Sequence, residues 1–213
     1  MFFSNSYLTR KMVFIWLLLL STTVLSNELL QHSSDSQRQK AAQQVTQQFL
    51  KRLGGHLRNE MKNHGPVAAI KVCKELAPAI ASELSLENGW RVTRVTSKPR
   101  NALTGFPDSW EQKTLAEFQA LADSGEKYST MAKTEVVEES GRSYFRFMKP
   151  LAIKPVCLSC HGSDEQIPAE VRAELEKNYP FDQATDYKPG ELRGAVSIKQ
   201  PMDIPLNKKF LND

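Results

Sequence analysis

The chain has 213 residues, a formal net charge of +4 and three cysteines. This length suits one domain of ordinary size whose core needs no disulfide staples, and three Cys are too few for a disulfide-built scaffold. The charge balance is close to neutral and no concentrated basic face is visible, which excludes nucleic acid as the expected partner.

At the amino terminus, Arg10 and Lys11 precede an apolar run from Met12 to Leu20, and Val24-Leu25-Ser26 places short side chains at the minus-three and minus-one sites of a signal peptidase. We expect residues 1–26 to be a signal peptide cleaved after Ser26, which implies export to the periplasm. The competing reading is an uncleaved anchor. The apolar run is shorter than the ~20 residues that a spanning helix needs and fades into Ser21-Thr22-Thr23, so no stable membrane insertion is expected after cleavage. Cleavage would leave 187 residues with a net charge of +2. Residues 27–35 are polar and read as a flexible lead, and 36–213 as a single domain.

From Ser36 the pattern is helical, with Ala41, Val45, Phe49, Leu53, Leu57 and Met61 recurring every four residues. Gly54-Gly55 predicts a kink or break, at about 1 kcal/mol per Gly relative to Ala. His64-Gly65 ends this long helix, and Pro66 suits the first turn of a second one running to about Leu86. Trp90 to Ser97 reads as a strand closed by Pro99. Asp108 with Glu111 signals a helix start, with Trp110, Leu115 and Phe118 as its apolar stripe. Thr134–Glu139 and Ser143–Pro150 read as a hairpin across Ser140-Gly141-Arg142. Pro168 opens a short helix to Asn178, and Gly194 to Gln200 looks like a final strand. Helices first and mostly antiparallel strands later predict an α+β domain.

Between the hairpin and the last helix lies Cys157-Leu158-Ser159-Cys160-His161, the C-x-x-C-H attachment pattern of a c-type haem. Two thiols three residues apart lie on the same side of a helical turn, where both can add to the vinyl groups of one porphyrin. His161 then falls over the iron as the proximal ligand. Cys73 shares a helix face with Ile70, Ala77 and Ile80, and so points to the core side. It reads either as a small buried hydrophobe or as the distal thiolate ligand of the iron. His56, His64, His32 and Met148 are competing sixth ligands, and a five-coordinate iron is a further option. Two readings without haem also remain open. Cys73, Cys157, Cys160 and His161 have the composition of a zinc site, although adjacent Cys160 and His161 would have to reach one tetrahedral metal. The C-x-x-C pair could instead be a thioredoxin-like redox couple.

These motifs resemble the extracytoplasmic PAS-like c-type haem domains, known as a soluble cyanobacterial protein and as modules fused to sensor kinases. The resemblance covers nearly all of the chain after residue 26 and rests on five blocks in order: Ala69–Cys73 with Ala77–Ile80, Arg94–Asn101, Pro107–Glu111, Cys157–Gly162 and Gly190–Ser197. It implies a PAS-like antiparallel sheet flanked by helices, and one haem c whose iron is held by His161 and Cys73. Ala102 and Gly105 depart from the family pattern, in the loop before Asp108. Arg91, Arg94, Lys98 and Arg100 supply cations near Trp90–Asn101. Arg100 is the expected propionate partner, with Arg91 and Arg94 read as a solvated strand face.

A thiolate opposite an imidazole favours ferric iron and so predicts a low reduction potential. The expected role is a periplasmic electron carrier or redox component, not an enzyme, working with an unidentified redox or signalling protein. The alternative is a haem-based redox or gas sensor, in which reduction releases Cys73 and opens the iron to a diatomic gas.

Overall fold

The structure, a computed structural model, describes residues 6–211, with side chains from residue 33. Helix α1 spans Ser6–Lys71. No Gly or Pro interrupts the sequence from Ser6 to Leu53, and α1 accordingly includes residues 27–35, where the sequence pattern suggests an irregular lead. Residues 1–5 and the side chains of the expected signal-peptide segment, Ser26 among them, lie outside the described residues. Among the described residues no helix is long and apolar enough to cross a membrane.

Ala41, Val45, Phe49 and Leu53 form the buried stripe of α1. Helical geometry runs straight through Gly54-Gly55, contrary to the expected break, because packing along this stripe outweighs the modest propensity cost. The break comes at Gly65, whose φ of 80° and ψ of −179° leave the helical region before Pro66 restarts it. The helix expected from Pro66 to Leu86 is also interrupted. A π-helical turn at Val72–Leu76 leads into α2 (Ala77–Asn88), with the Ala77 N–H donating to the Val72 carbonyl. Pro78 supplies the cause: it has no N–H to give the Lys74 carbonyl, its ring crowds that carbonyl, and the wider turn relieves both.

The sheet consists of β1 (Arg91–Val95), β2 (Lys133–Glu139), β3 (Arg142–Ala152) and β4 (Leu192–Pro201) in the antiparallel order β1-β4-β3-β2. The expected hairpin is present, closed by Ser140-Gly141 with both residues at positive φ. Helix α3 (Ser109–Asp123) begins with the expected capping box, in which Asp108 accepts from the Glu111 N–H and Glu111 accepts from the Asp108 N–H. Strand alternation sorts the two faces. Val92, Phe145, Phe147, Val196 and Ile198 pack against α1 and α2, while Val95, Met148 and Ala195 pack against Leu115 and Phe118 of α3. The α+β architecture, with a long amino-terminal helix over an antiparallel sheet, is as the sequence predicts.

The sheet is irregular at one point, between β3 and β4. Leu151 pairs with Gly194 but Ala152 pairs with Leu192, which leaves Arg193 unpaired as a bulge. The extra residue switches parity, so that Leu192 joins the α3 side with Ala195 and Arg193 turns to the other face. Gly194 permits this with φ 144°, and a Cβ there would stand 2.3 Å from the Val95 carbonyl oxygen.

Candidate functional site

Between α1, the π turn, α2 and the open end of the sheet lies a cavity of about 880 Å³. That size falls within the roughly 300–1,000 Å³ of small-molecule sites. Its walls are mainly apolar, with Leu53, Leu57, Ala77 and Leu151 among them. Cys73, Arg100, Cys157, Cys160 and His161, far apart in the chain and all singled out from the sequence, line this one cavity.

The motif is held in a short turn built for close approach. A 3₁₀ turn at Pro155–Cys157 leads into the four-residue helix α4 (Leu158–His161). The Gly162 N–H closes α4 onto the Leu158 carbonyl. A Cβ at position 162 would lie 2.7 Å from that same oxygen and 2.5 Å from Gln166, which explains the glycine directly after the motif. Helix α5 (Ala169–Asn178) then packs Val171 and Leu175 with Ile70 and the Cys160 side chain, so the second thiol sits in an apolar setting. Burial pushes the Cys160 thiol pKa up, against the opposing pull of Arg100.

His161 is half-buried, and its Nδ1 lies 2.7 Å from the Ala184 carbonyl oxygen. A carbonyl can only accept, so Nδ1 carries the proton and Nε2 keeps its lone pair free. Burial, reinforced by the positive charges of Arg100 and Arg193, holds the imidazole well below its ordinary pKa despite the Ala184 hydrogen bond. A neutral imidazole whose N–H is fixed on a backbone carbonyl is the form in which His binds a metal.

Cys73 lies within the π turn, a local geometry that recurs at functional sites. The sequence places this thiol toward the core, and the structure has it half-buried on the cavity wall while Ile70, Ala77 and Ile80 are buried. The other sulfur and imidazole candidates fall elsewhere. Met148 is fully buried in the α3-side core, and His56 and His64 are exposed on α1. The side chain of His32 is outside the described residues. Met61 brings a further sulfur, a thioether, to the cavity, and periodicity alone marks it only as core. Among the described residues no group of three or more His, Cys, Asp or Glu side chains is spaced to hold a metal ion, so the zinc arrangement lacks geometric support.

Arg58, Lys62, Arg94, Arg100 and Arg193 all line the cavity, and among the described residues no Asp or Glu does. Arg94 is exposed, in keeping with the solvated strand face read from the sequence, and lies on the cavity side with Val92, 6.0 Å from the Phe49 ring. Arg193, brought in by the bulge, donates to Thr96 Oγ1 at 3.1 Å and the Lys98 carbonyl at 3.3 Å. Arg100 is nearly enclosed; its Nε donates to Asp182 at 2.8 Å and its Nη2 to the Cys160 and Ala184 carbonyls. An apolar cavity with cations and no carboxylates suits a flat, largely apolar group bearing anionic substituents, and two thiols and a metal-ready imidazole at its wall suit a porphyrin in particular.

The Tll0287-like family model matches residues 24–201. The chain belongs to the Tll0287-like family. The crystal structure of the cyanobacterial haem protein Tll0287 has a similar fold, with a TM-score of 0.56 at 21% identity, covering 76% of this chain and 91% of that one. No curated protein matches this sequence significantly. Within this Tll0287-like chain, Gly105 has a local use. The Gly105 N–H donates to the Asn101 carbonyl at 2.9 Å, and a Cβ at 105 would lie 2.9 Å from that oxygen. The loop thus closes tightly, and its Asn101 and Thr104 complete the cavity rim.

Proposed function

We propose that this chain is a periplasmic monohaem c-type protein that serves as an electron carrier or redox component. In this reading Cys157 and Cys160 would carry the haem by thioether bonds, and His161 Nε2 and the Cys73 thiolate would hold its iron. Arg193 and Arg94, with Arg58 and Lys62 at the edge, balance the propionates. The observation that carries it is the hydrogen bond from His161 Nδ1 to Ala184, which leaves Nε2 free at the cavity that the three thiols also line. Family membership and the fold shared with a haem protein support the same assignment. When bound, the haem supplies a one-electron ferric/ferrous couple. The protein's part is to fix the imidazole tautomer, to keep water from the apolar walls and to set charge around the cavity. With two protein side chains on the iron no open position for a substrate would be left, so we assign no enzymatic role.

A sensor reading, with a diatomic gas as second ligand and a partner protein as output, gains support from the π turn. Cys73 sits where the helix has already exchanged its regular hydrogen bonding, so its position costs less to change than in an unbroken helix. Mass spectrometry and absorption and EPR spectra of wild type and Cys73→Ala, in both oxidation states and with and without CO, test both readings. We expect one covalent haem, low-spin ferric iron in wild type and altered ferric spectra in the variant. A colourless protein would sink the haem assignment. Unchanged ferric spectra in Cys73→Ala would refute the thiolate ligand and turn attention to Met61. CO binding to the reduced wild type would favour the sensor.

A further inference from the structure

Arg100 stands among the cavity cations, yet its hydrogen bonds go to the protein. Its Nε donates to Asp182 Oδ2 at 2.8 Å, and its Nη2 to the Ala184 carbonyl at 3.1 Å and to the Cys160 carbonyl. The other carboxylate oxygen, Asp182 Oδ1, accepts the Ala184 N–H at 2.7 Å. Asp182, Arg100 and Ala184 therefore form a closed ring of hydrogen bonds, in which Arg100 and Asp182 are 9% and 12% exposed and Ala184 is fully buried. The Ala184 carbonyl is also the acceptor for His161 Nδ1. One peptide group thus ties the imidazole to a buried ion pair, and the same guanidinium grips the backbone of Cys160.

We propose that Arg100, held by Asp182, is a positioning residue for His161 that sets how strongly the imidazole donates to the iron, and that it is not chiefly a propionate partner. The inference rests on the axial role given to His161 above. A carbonyl that accepts from both a cationic guanidinium and an imidazole N–H is a weaker acceptor for each than if it served one alone. The His161 ring is thereby kept from imidazolate character, its donation to ferric iron is limited, and the nearby positive charge acts in the same direction. Both effects raise the reduction potential relative to a protein without Arg100. The ring of hydrogen bonds also fixes the direction of the Nδ1–H bond, and with it the plane of the imidazole.

The test uses the full-length holoprotein as wild type, Arg100→Gln and Arg100→Lys, with covalent haem confirmed by mass and potentials measured by redox titration. Arg100→Gln is expected to shift the ferric-to-ferrous ratio at fixed ambient potential roughly tenfold toward ferric, a drop of about 59 mV for one electron. Its low-spin EPR lines should broaden as the imidazole loses its fixed plane. Arg100→Lys keeps the charge but has no planar fork to grip Asp182 and two carbonyls together, so it should recover only part of the shift. If Arg100→Gln does not accumulate as holoprotein, Asp182→Asn is measured instead, with the same EPR broadening expected. An unchanged potential and EPR envelope, with haem attached and His161 ligated, would overturn the inference alone. Full recovery by Lys would overturn it too, since charge would then be the whole effect. A protein without covalent haem, or a His161→Ala variant with wild-type EPR, would overturn the proposed function and this inference with it.

Discussion

Arg146 on one face of the sheet and Arg94 on the other stand in opposite surroundings. On the α3 face the Arg146 side chain is completely buried and surrounded by acids, 2.8 Å from Asp108, 3.2 Å from Glu111 and 2.7 Å from Glu139, with its guanidinium 4.6 Å from the Trp110 ring. Glu111 in turn accepts from Ser197 at 2.6 Å. On the α1 face Arg94, Arg58 and Lys62 approach a cavity whose lining, among the described residues, contains no carboxylate. The scaffold guanidinium is fully buried among its acids, whereas Arg58, Lys62 and Arg94 keep one end in solvent and turn the other to the cavity. Where every buried charge has a counter-charge within the protein, the cluster belongs to the scaffold; where cations face an apolar cavity without one, the missing anion is expected on a ligand.

The sharpest way to break this contrast is to remove the paired arginine. Arg146→Ala leaves Asp108, Glu111 and Glu139 crowded around an empty space and should cost about 3–5 kcal/mol of stability. Urea denaturation measures it, and a loss under about 1 kcal/mol would mean that the cluster is not the structural element we take it for. Next in size is Gly194→Ala at the bulge. A Cβ 2.3 Å from the Val95 carbonyl, at φ 144°, forces the strand to shift at a cost of roughly 1–3 kcal/mol. This change also has a signature on the cavity face, because the bulge aims Arg193. Thermal melts should show the loss of stability, and haem content the disturbance of the site. A variant that loses stability while loading haem normally would show that the orientation of Arg193 does not matter to the site.

What the sequence discloses divides along the same line, between local and non-local causes. The α3 cap at Asp108 and Glu111, the hairpin and the C-x-x-C-H turn are each written within a few adjacent residues, and all appear as expected. Pro78 is a local signal for the π turn, but it lies inside an otherwise regular apolar pattern that masks it. The acceptor for His161 lies 23 residues away in a stretch without periodicity, Gln183-Ala184-Thr185. Nothing in a single sequence marks one carbonyl there. The bulge at Arg193 depends on register against β3, and register is a property of pairing, not of either strand alone. For the same reason Arg94 and Arg146 carry no mark of their opposite roles, because the charges that distinguish them come from distant parts of the chain.

Acid sharpens the comparison with the smallest expected effect. Burial works against ionisation of Asp108 and Glu139, yet hydrogen bonds outweigh it, from the Glu111 N–H and Arg146 to Asp108, and from Lys199 and Arg146 to Glu139. Both carboxyls are therefore held below their ordinary range. A carboxyl whose folded pKa is depressed contributes stability that is complete above its unfolded pKa, about 3.9 for Asp and 4.3 for Glu. The contribution fades as pH falls from there through the lower folded values, because the unfolded chain takes up the proton first. Both side chains are about a third exposed, so solvent screening keeps the effect modest. Stability measured by urea between pH 6 and pH 3 should therefore decline below about pH 4. Asp108→Asn, which can still cap α3, should flatten that decline in part, whereas Arg94→Gln on the cavity face should leave its slope unchanged. A cavity-face variant that altered the acid slope as much as Asp108→Asn would mean that the two faces share their electrostatics, and the division between scaffold and site would have to be redrawn.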